Sequence, residues 1–237
     1  MAHALVGSMM GAQVAPHPSA PQTGKGYAVR VEYTQEFWDD RYRQRPRIWS
    51  GRPNRQLVAV AEDLPPGKAL DVGCGEGADA AWLASRGWAV LGIDVSEVAV
   101  SRARAHAEGL DTPVAERLEF RQVDLLASPE LPDGLDLVSI QFLHLPEPER
   151  SRIFGALAYL VGVGGTLLIV AHDPSDLSTE VRRPPQPDLF YTPQEIAALL
   201  DDTWDVRACE SRPRTERTGD GREVTVHDAV LQAVRIR

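Results

Sequence analysis

The sequence predicts an α/β fold: a doubly wound, mostly parallel seven-stranded sheet that ends in an antiparallel hairpin. Three observations predict it. Between Pro65 and Ala171, short apolar runs alternate with helical stretches at a pitch of one strand and one helix, which implies a parallel sheet covered on both faces. The first run meets its helix through a glycine-rich turn, Gly73-Cys74-Gly75-Glu76-Gly77. The last two runs, Trp204 to Glu210 and Val224 to Ile236, are separated only by the charged stretch Arg212 to Arg222. Two strands in succession, with no helix between them, pair as a hairpin.

The elements follow in order. Residues 1–26 are rich in Ala, Gly, Pro and Ser without periodicity and read as a disordered tail, with Met9 and Met10 as alternative first residues. Residues 27–237 read as one domain, 27–64 a helical lid and 65–237 the core. Thr34 caps a helix through Phe37, Trp38 and Tyr42 that Pro46 stops, and Asn54 caps a second through Leu57, Val58 and Val60. Pro65-Pro66-Gly67 leads into the strand Lys68 to Val72, and a helix from Ala78 to Ser85 ends at Gly87. Trp88 to Ile93 is a strand closed by Asp94. Ser96 caps a helix to about Glu108, and Arg117 to Val123 is a strand closed by Asp124. The strand Leu135 to Gln141, the helix Pro146 to Leu160 and the strand Gly165 to Ala171 complete the alternation. Thr192-Pro193-Gln194-Glu195 has the form of a helix start with a reciprocal cap.

Composition narrows the function. A chain of 237 residues, 43% hydrophobic and 25% charged, is long enough to bury a core. Its formal charge of −9 argues against a general binder of nucleic acid or anionic membrane, whose phosphates would repel it. Two cysteines, Cys74 and Cys209, make no disulfide framework. No apolar run approaches the roughly 20 residues a membrane span needs, and no Lys or Arg precedes Lys25 to start a secretory signal. The expectation is a cytoplasmic protein with a small-molecule partner, of unstated oligomeric state.

The chemistry centres on Asp71-Val72-Gly73-Cys74-Gly75-Glu76-Gly77. Glycines at alternate positions let a ligand lie directly on the main chain, and the next helix points its partly positive end at it. The spacing is G-x-G-x-G, not the G-x-G-x-x-G of dinucleotide enzymes, and the Lys-Ser/Thr ending of a P-loop is missing. With Asp94 closing the second strand and Asp124 the third, the segment resembles the class I S-adenosylmethionine-dependent methyltransferases over about Pro65 to Ala171. The resemblance implies their Rossmann-like fold, with S-adenosyl-L-methionine as cofactor and S-adenosyl-L-homocysteine as product. It also implies roles: Asp71, Gly73, Cys74, Gly75 and Gly77 around the methionyl end, Asp94 on the ribose hydroxyls with Val95 on the adenine, Asp124 on the adenine amino group with Leu125 beside it, and Gln141 and Phe142 at the methyl. A narrower resemblance, to tellurite-resistance and thiopurine-type small-molecule methyltransferases, rests on Phe37-Trp38-x-x-Arg41-Tyr42, Trp49-x-Gly51-x-Pro53-Asn54 and Glu76-Gly77-x-Asp79-Ala80-x-Trp82-Leu83-Ala84. It implies that Trp38 and Trp49 belong to a lid over the cofactor.

In such a sheet, ligands lie off the carboxyl ends of the strands. His144, past the fourth strand, and His172, past the fifth, therefore face the acceptor side as candidate proton acceptors. A turn-fixing hydrogen bond is the plainer reading of each. Arg182, Arg183, Asp173 and Tyr191 are candidate substrate contacts, and a solvated loop is the alternative. His172, Asp173 and Asp176 on one loop are weak as metal ligands, so no metal is assigned. The function expected is methyl transfer to an S, O or N nucleophile of a small molecule. The alternatives are a non-catalytic binder of the same cofactor and an NAD(P)-dependent oxidoreductase.

Overall fold

The computed structural model describes residues 33–181, 183–184 and 186–237. The expected tail, the start of the lid and Arg182 lie outside them. Helix α1 (Gln35–Arg43) begins where Thr34 Oγ1 accepts from the Phe37 N–H, and α2 (Arg55–Ala61) where Asn54 accepts from the Gln56 N–H. The alternating segment then runs β1 (Lys68–Val72), α3 (Ala78–Ser85), β2 (Ala89–Asp94), α4 (Glu97–Glu108), a short α5 (Thr112–Ala115), β3 (Leu118–Gln122), β4 (Leu135–Gln141), α6 (Glu149–Tyr159) and β5 (Val161–His172). After α7 (Pro193–Ala197), which carries the expected capping box, come β6 (Trp204–Arg217) and β7 (Glu223–Arg235).

The seven strands form one sheet in the order β3-β2-β1-β4-β5-β7-β6. The first five are parallel, β7 runs antiparallel to β5, and β6 pairs antiparallel with β7. Side chains alternate between the two faces. Leu70, Val72, Ile140 and Ile169 pack with Phe154 and Ile196 of α6 and α7. On the other face, Ala69, Leu137, Leu168 and Val170 pack with Leu57, Leu83 and Val100 of α2, α3 and α4. Successive strands step from β1 outward to β3, then cross to β4. That reversal opens a crevice off the carboxyl ends of β1 and β4. No helix among the described residues is long and apolar enough to cross a membrane.

The hairpin is longer than the sequence suggests. Arg212 to Arg217, read as loop, continues β6 and pairs with Glu223 to Asp228. Pro213 is tolerated because β6 is the sheet's edge, where a missing donor faces outward. Charges in this stretch have partners the local pattern does not reveal. The Arg183 guanidinium donates to Asp176 at 2.8 Å and Glu216 at 3.1 Å; Arg214 donates to Glu216 and Asp228, each at 2.9 Å. Asp176 also accepts from the His227 N–H, and Asp228 from Gln56 of α2. The network therefore ties the hairpin to the loop after β5 and to the lid.

This network makes a stability prediction. The Arg183 side chain is 6% exposed and that of Asp176 0%. Removing one member of such a buried pair strands the other's charge. Arg183→Ala should therefore cost about 3 kcal/mol in urea unfolding. Arg217→Ala, which breaks only an exposed pair with Glu223, should leave the midpoint unmoved.

Candidate functional site

The glycine-rich turn folds back over β2. The N–H groups of Gly73 and Cys74 both donate to the Ile93 carbonyl, at 2.8 and 2.9 Å. Gly75 has φ +53°, and a Cβ there would lie 3.0 Å from Tyr42 Oη and 3.1 Å from Trp49 Nε1. Only a residue without a side chain lets the lid aromatics sit on the turn. Gly77, at φ +82°, starts α3 against Phe120 and Ala103. Cys74 is buried, and its thiol is pushed up by burial and then by the carboxylates of Asp71 and Asp94.

Carboxylates crowd around this turn. Asp71, one residue before the end of β1, is 1% exposed, and its Oδ2 has no partner among the described residues. Burial lifts its pKa well above the usual carboxylate range, helped by the charges of Asp79 and Asp94 and opposed by the Ala80 N–H. Burial pushes Asp79, in the first turn of α3, up to about 6, although it accepts from the Asn54 N–H at 2.6 Å. Asp94 closes β2 and accepts from the Gly75 N–H at 3.0 Å and the Ser96 N–H at 2.9 Å. Burial raises it too, against those bonds. No salt bridge reaches any of the three among the described residues.

The lid is fastened to the turn by side chains. Glu76 accepts from the N–H groups of Ile48 and Trp49, both at 3.2 Å, and pairs with Arg102 of α4 at 2.9 Å. Arg102 also donates to the carbonyls of Tyr42 and Arg45, at 2.7 and 2.9 Å. Trp49 Nε1 donates to Tyr42 Oη at 2.9 Å. Trp38 sits in a cluster with Tyr33, Phe37 and Tyr42, whereas Trp49 is 46% exposed and rests over Gly75.

Across the crevice, β4 and β5 end in a neutral, ring-lined wall. Gln141 donates to Ser139, but its buried Oε1 has no partner among the described residues. Phe142 has φ +53°, a sparsely populated conformation for a residue with a Cβ. Its ring lies 4.6 Å from His172, which stacks on His144 at 5.1 Å and 18°. His144 Nδ1 is 3.4 Å from the Leu189 carbonyl. Burial lowers the His144 pKa to about 4, with Arg183 adding to it, and lowers His172 further, helped by His144, Arg183 and Arg214.

The expected residues divide accordingly. Asp71, Gly73, Cys74, Gly75, Gly77, Asp94, Gln141, Phe142, His144 and His172 meet at the ends of β1, β2, β4 and β5. Val95 and Leu125 are half-buried beyond β2 and β3, and Asp124 is exposed, capping a 3-10 turn through the Leu126 N–H. Three expected substrate contacts are engaged within the fold. Tyr191 is 1% exposed, in the core under Arg150, with its hydroxyl on the Leu143 carbonyl. Arg183 is held in the ion network, and Asp173 caps the turn after β5 through Ser175. Four residues went unassigned from sequence: Asp39, Glu76, Asp79 and Arg102. Glu76 and Asp79 lay within a quoted motif, but nothing local marks Asp39 or Arg102.

Comparison with known proteins agrees with this geometry. Residues 69–165 match the family model described as a methyltransferase domain. The methyltransferase GfsG of Streptomyces halstedii is 31% identical over 137 residues, covering 56% of this chain and 48% of that protein. The structure of TehB from Haemophilus influenzae is similar with a TM-score of 0.57, at 20% identity over 85% of this chain and 66% of that one. That of magnesium protoporphyrin IX methyltransferase from Synechocystis with bound SAH gives 0.59, at 20% identity over 85% and 97%. These two show a shared fold. The chain spans about half the length of the first curated relatives it matches, 48% in each of two cases.

Two outcomes follow from the crowded carboxylates and the bare turn. A carboxyl whose folded pKa is raised stabilises the fold below its unfolded value and loses that contribution as pH rises through the folded one. Without ligand, the melting temperature should therefore fall as pH rises through about 6, the value set by Asp79. Asp79→Asn should flatten that limb in a scanning-fluorimetry series. Gly75→Ala should displace Tyr42 and Trp49 and make the 45–54 segment more accessible to protease.

Proposed function

We infer that the protein is a class I S-adenosyl-L-methionine-dependent methyltransferase that transfers the cofactor's methyl to a small-molecule nucleophile; the match of residues 69–165 to a methyltransferase domain and the shared fold support the reading. One observation carries the reading. Buried carboxylates surround a turn that leaves little room for a Cβ at Gly75 and Gly77, and two buried acceptors on neighbouring strands, Asp71 Oδ2 and Gln141 Oε1, have no donor among the described residues. A ligand with an ammonium and a sulfonium supplies both the donors and the compensating charge. The residues present thus fit the cofactor.

When bound, the cofactor supplies an electrophilic methyl on a positively charged sulfur. Asp71 and the turn Gly73, Cys74 and Gly75 would hold the methionyl end, with Gly77 starting the helix behind it. Asp94 would accept from the ribose, with Val95 against the adenine, and Asp124 would accept from the adenine amino group with Leu125 alongside. Gln141 and Phe142 would line the reacting end. Trp49 and Trp38, on the lid, would exclude water. The chain's main contribution is placement of the acceptor at near-contact distance.

His144 and His172 stand on the acceptor side. Burial keeps both imidazoles neutral, so each can accept a hydrogen bond from the methyl acceptor even well below neutral pH. A base of such low pKa suits an acidic nucleophile such as a thiol or phenol better than an alkyl alcohol. The net charge of −9 supports a small acceptor over nucleic acid, and two free cysteines support a reducing, cytoplasmic setting.

Calorimetry with S-adenosylhomocysteine tests the cofactor site. Wild type should bind, and Asp94→Asn should weaken binding about 10- to 100-fold, the loss of a charge-assisted bond. Labelled methyl donor offered with thiols, phenols, amines and chalcogen oxyanions tests turnover. In the responding reaction, replacing both His144 and His172 by Ala should lower kcat about 100-fold with cofactor affinity unchanged. A protein that binds but labels nothing is a binder, not an enzyme.

A further inference from the structure

We propose that Asp39 is a positioning residue for the cofactor: reaching from α1 through Ser96, it sets the Asp94 carboxylate and couples seating of the lid to seating of the ribose. The inference rests on the methyltransferase reading above and adds a residue to it.

Asp39 is 6% exposed, an unusual place for a carboxylate on the first helix. Its Oδ1 accepts from Ser96 Oγ at 2.6 Å and from the Val98 N–H at 3.2 Å, across 57 and 59 positions of chain. Ser96 is fully buried and already caps α4 through the Ala99 N–H. Asp39 is thus a second acceptor brought to this helix start by another element. The Ser96 N–H donates to Asp94 Oδ1 at 2.9 Å, and Asp94 Oδ2 accepts from the Gly75 N–H at 3.0 Å. The links run unbroken from lid helix to Ser96, to Asp94, to the glycine turn.

Each link has a direction. Ser96 Oγ aims its proton at Asp39, which fixes the rotamer that leaves its oxygen open to Ala99 N–H. That rotamer and the backbone of residues 94–96 orient Asp94 as well. If α1 withdraws, Ser96 Oγ and the Val98 N–H lose their acceptor together, and the turn bearing Asp94 is released. Asp39 and Asp94 are also like charges, the one raising the pKa of the other. Against this, hydrogen bonds from Ser96, Val98 and Gln35 and the charge of Arg43 keep Asp39 ionised despite its burial. A carboxylate chosen only to fasten α1 would sit better farther from Asp94.

The test is calorimetric titration of S-adenosylhomocysteine and of adenosine into wild type, Asp39→Ala, Asp39→Asn and Asp40→Ala, the last removing a surface carboxylate paired with Arg43. Asp39→Ala should weaken both ligands about tenfold, because the contact at stake is to the ribose they share. Asp39→Asn keeps an acceptor for Ser96 and should retain most of the affinity; it also carries the test if the Ala protein does not fold. Asp40→Ala should bind as wild type. A cycle with Ser96→Ala should be non-additive in ligand affinity. If Asp39→Ala lowers the melting temperature yet binds within twofold of wild type, Asp39 is a fastening only and the proposal falls. If wild type binds neither ligand, the methyltransferase reading falls first.

Discussion

The structure depends on keeping negative charge buried around one bare turn. Asp71, Asp79 and Asp94 come from β1, α3 and β2, and the fold brings them together because strands and helix begin and end there. Like charges in a low-dielectric pocket repel strongly. Backbone donors offset part of this: Asn54 N–H to Asp79, and Gly75 and Ser96 N–H to Asp94. Asp71 Oδ2 receives none among the described residues. The remaining deficit is what the proposed cationic cofactor would correct.

The arrangement of arginines supports that view. Arg102 lies close to the turn, yet its guanidinium is directed at Glu76 and at the carbonyls of Tyr42 and Arg45. It holds the lid to α4 and leaves the three inner carboxylates alone. Arg183 and Arg214 likewise stay with Asp176 of the loop after β5 and with Glu216 and Asp228 of the hairpin. Had any of these reached Asp71, the fold would be easier to stabilise and the charge proposed to hold the cofactor would be neutralised.

What was legible in the sequence follows from the range of the interactions. Caps act over two to three residues, so Thr34, Asn54, Ser96 and Thr192 announce their helices. Strand ends and the glycine turn are equally local, and Asp71, Asp94 and Gln141 fall where the reading put them. The partners of Arg183 and Tyr191 could not be read because they are distant in the chain: Glu216 lies 33 positions from Arg183, and Leu143 lies 48 from Tyr191. Asp39 and Arg102 were missed for the same reason. A charged residue on an amphipathic helix looks solvated until the facing element is known. The overrun of β6 past Glu210 was hidden by alternating charges, which are pair partners across the hairpin rather than loop residues.

The two sides of the crevice differ in electrical character, and this bears on the chemistry. Around the glycine turn are buried acids. Past the ends of β4 and β5, Phe142, His172, His144 and Phe190 form a succession of ring contacts, with both imidazoles held neutral. An uncharged wall does little to solvate a nucleophile, while the acids opposite favour positive charge next to them. A methyl transfer that begins with charge on one partner and spreads it over two is helped by surroundings of this kind, since low polarity penalises the concentrated charge more than the dispersed one. The strained Phe142 backbone belongs to the same logic. Its φ of +53° turns the chain sharply after β4, where the Gln141 side chain bonds back to Ser139 and the Phe142 ring turns to His172. One residue in an unfavourable conformation thus starts the neutral, ring-lined wall.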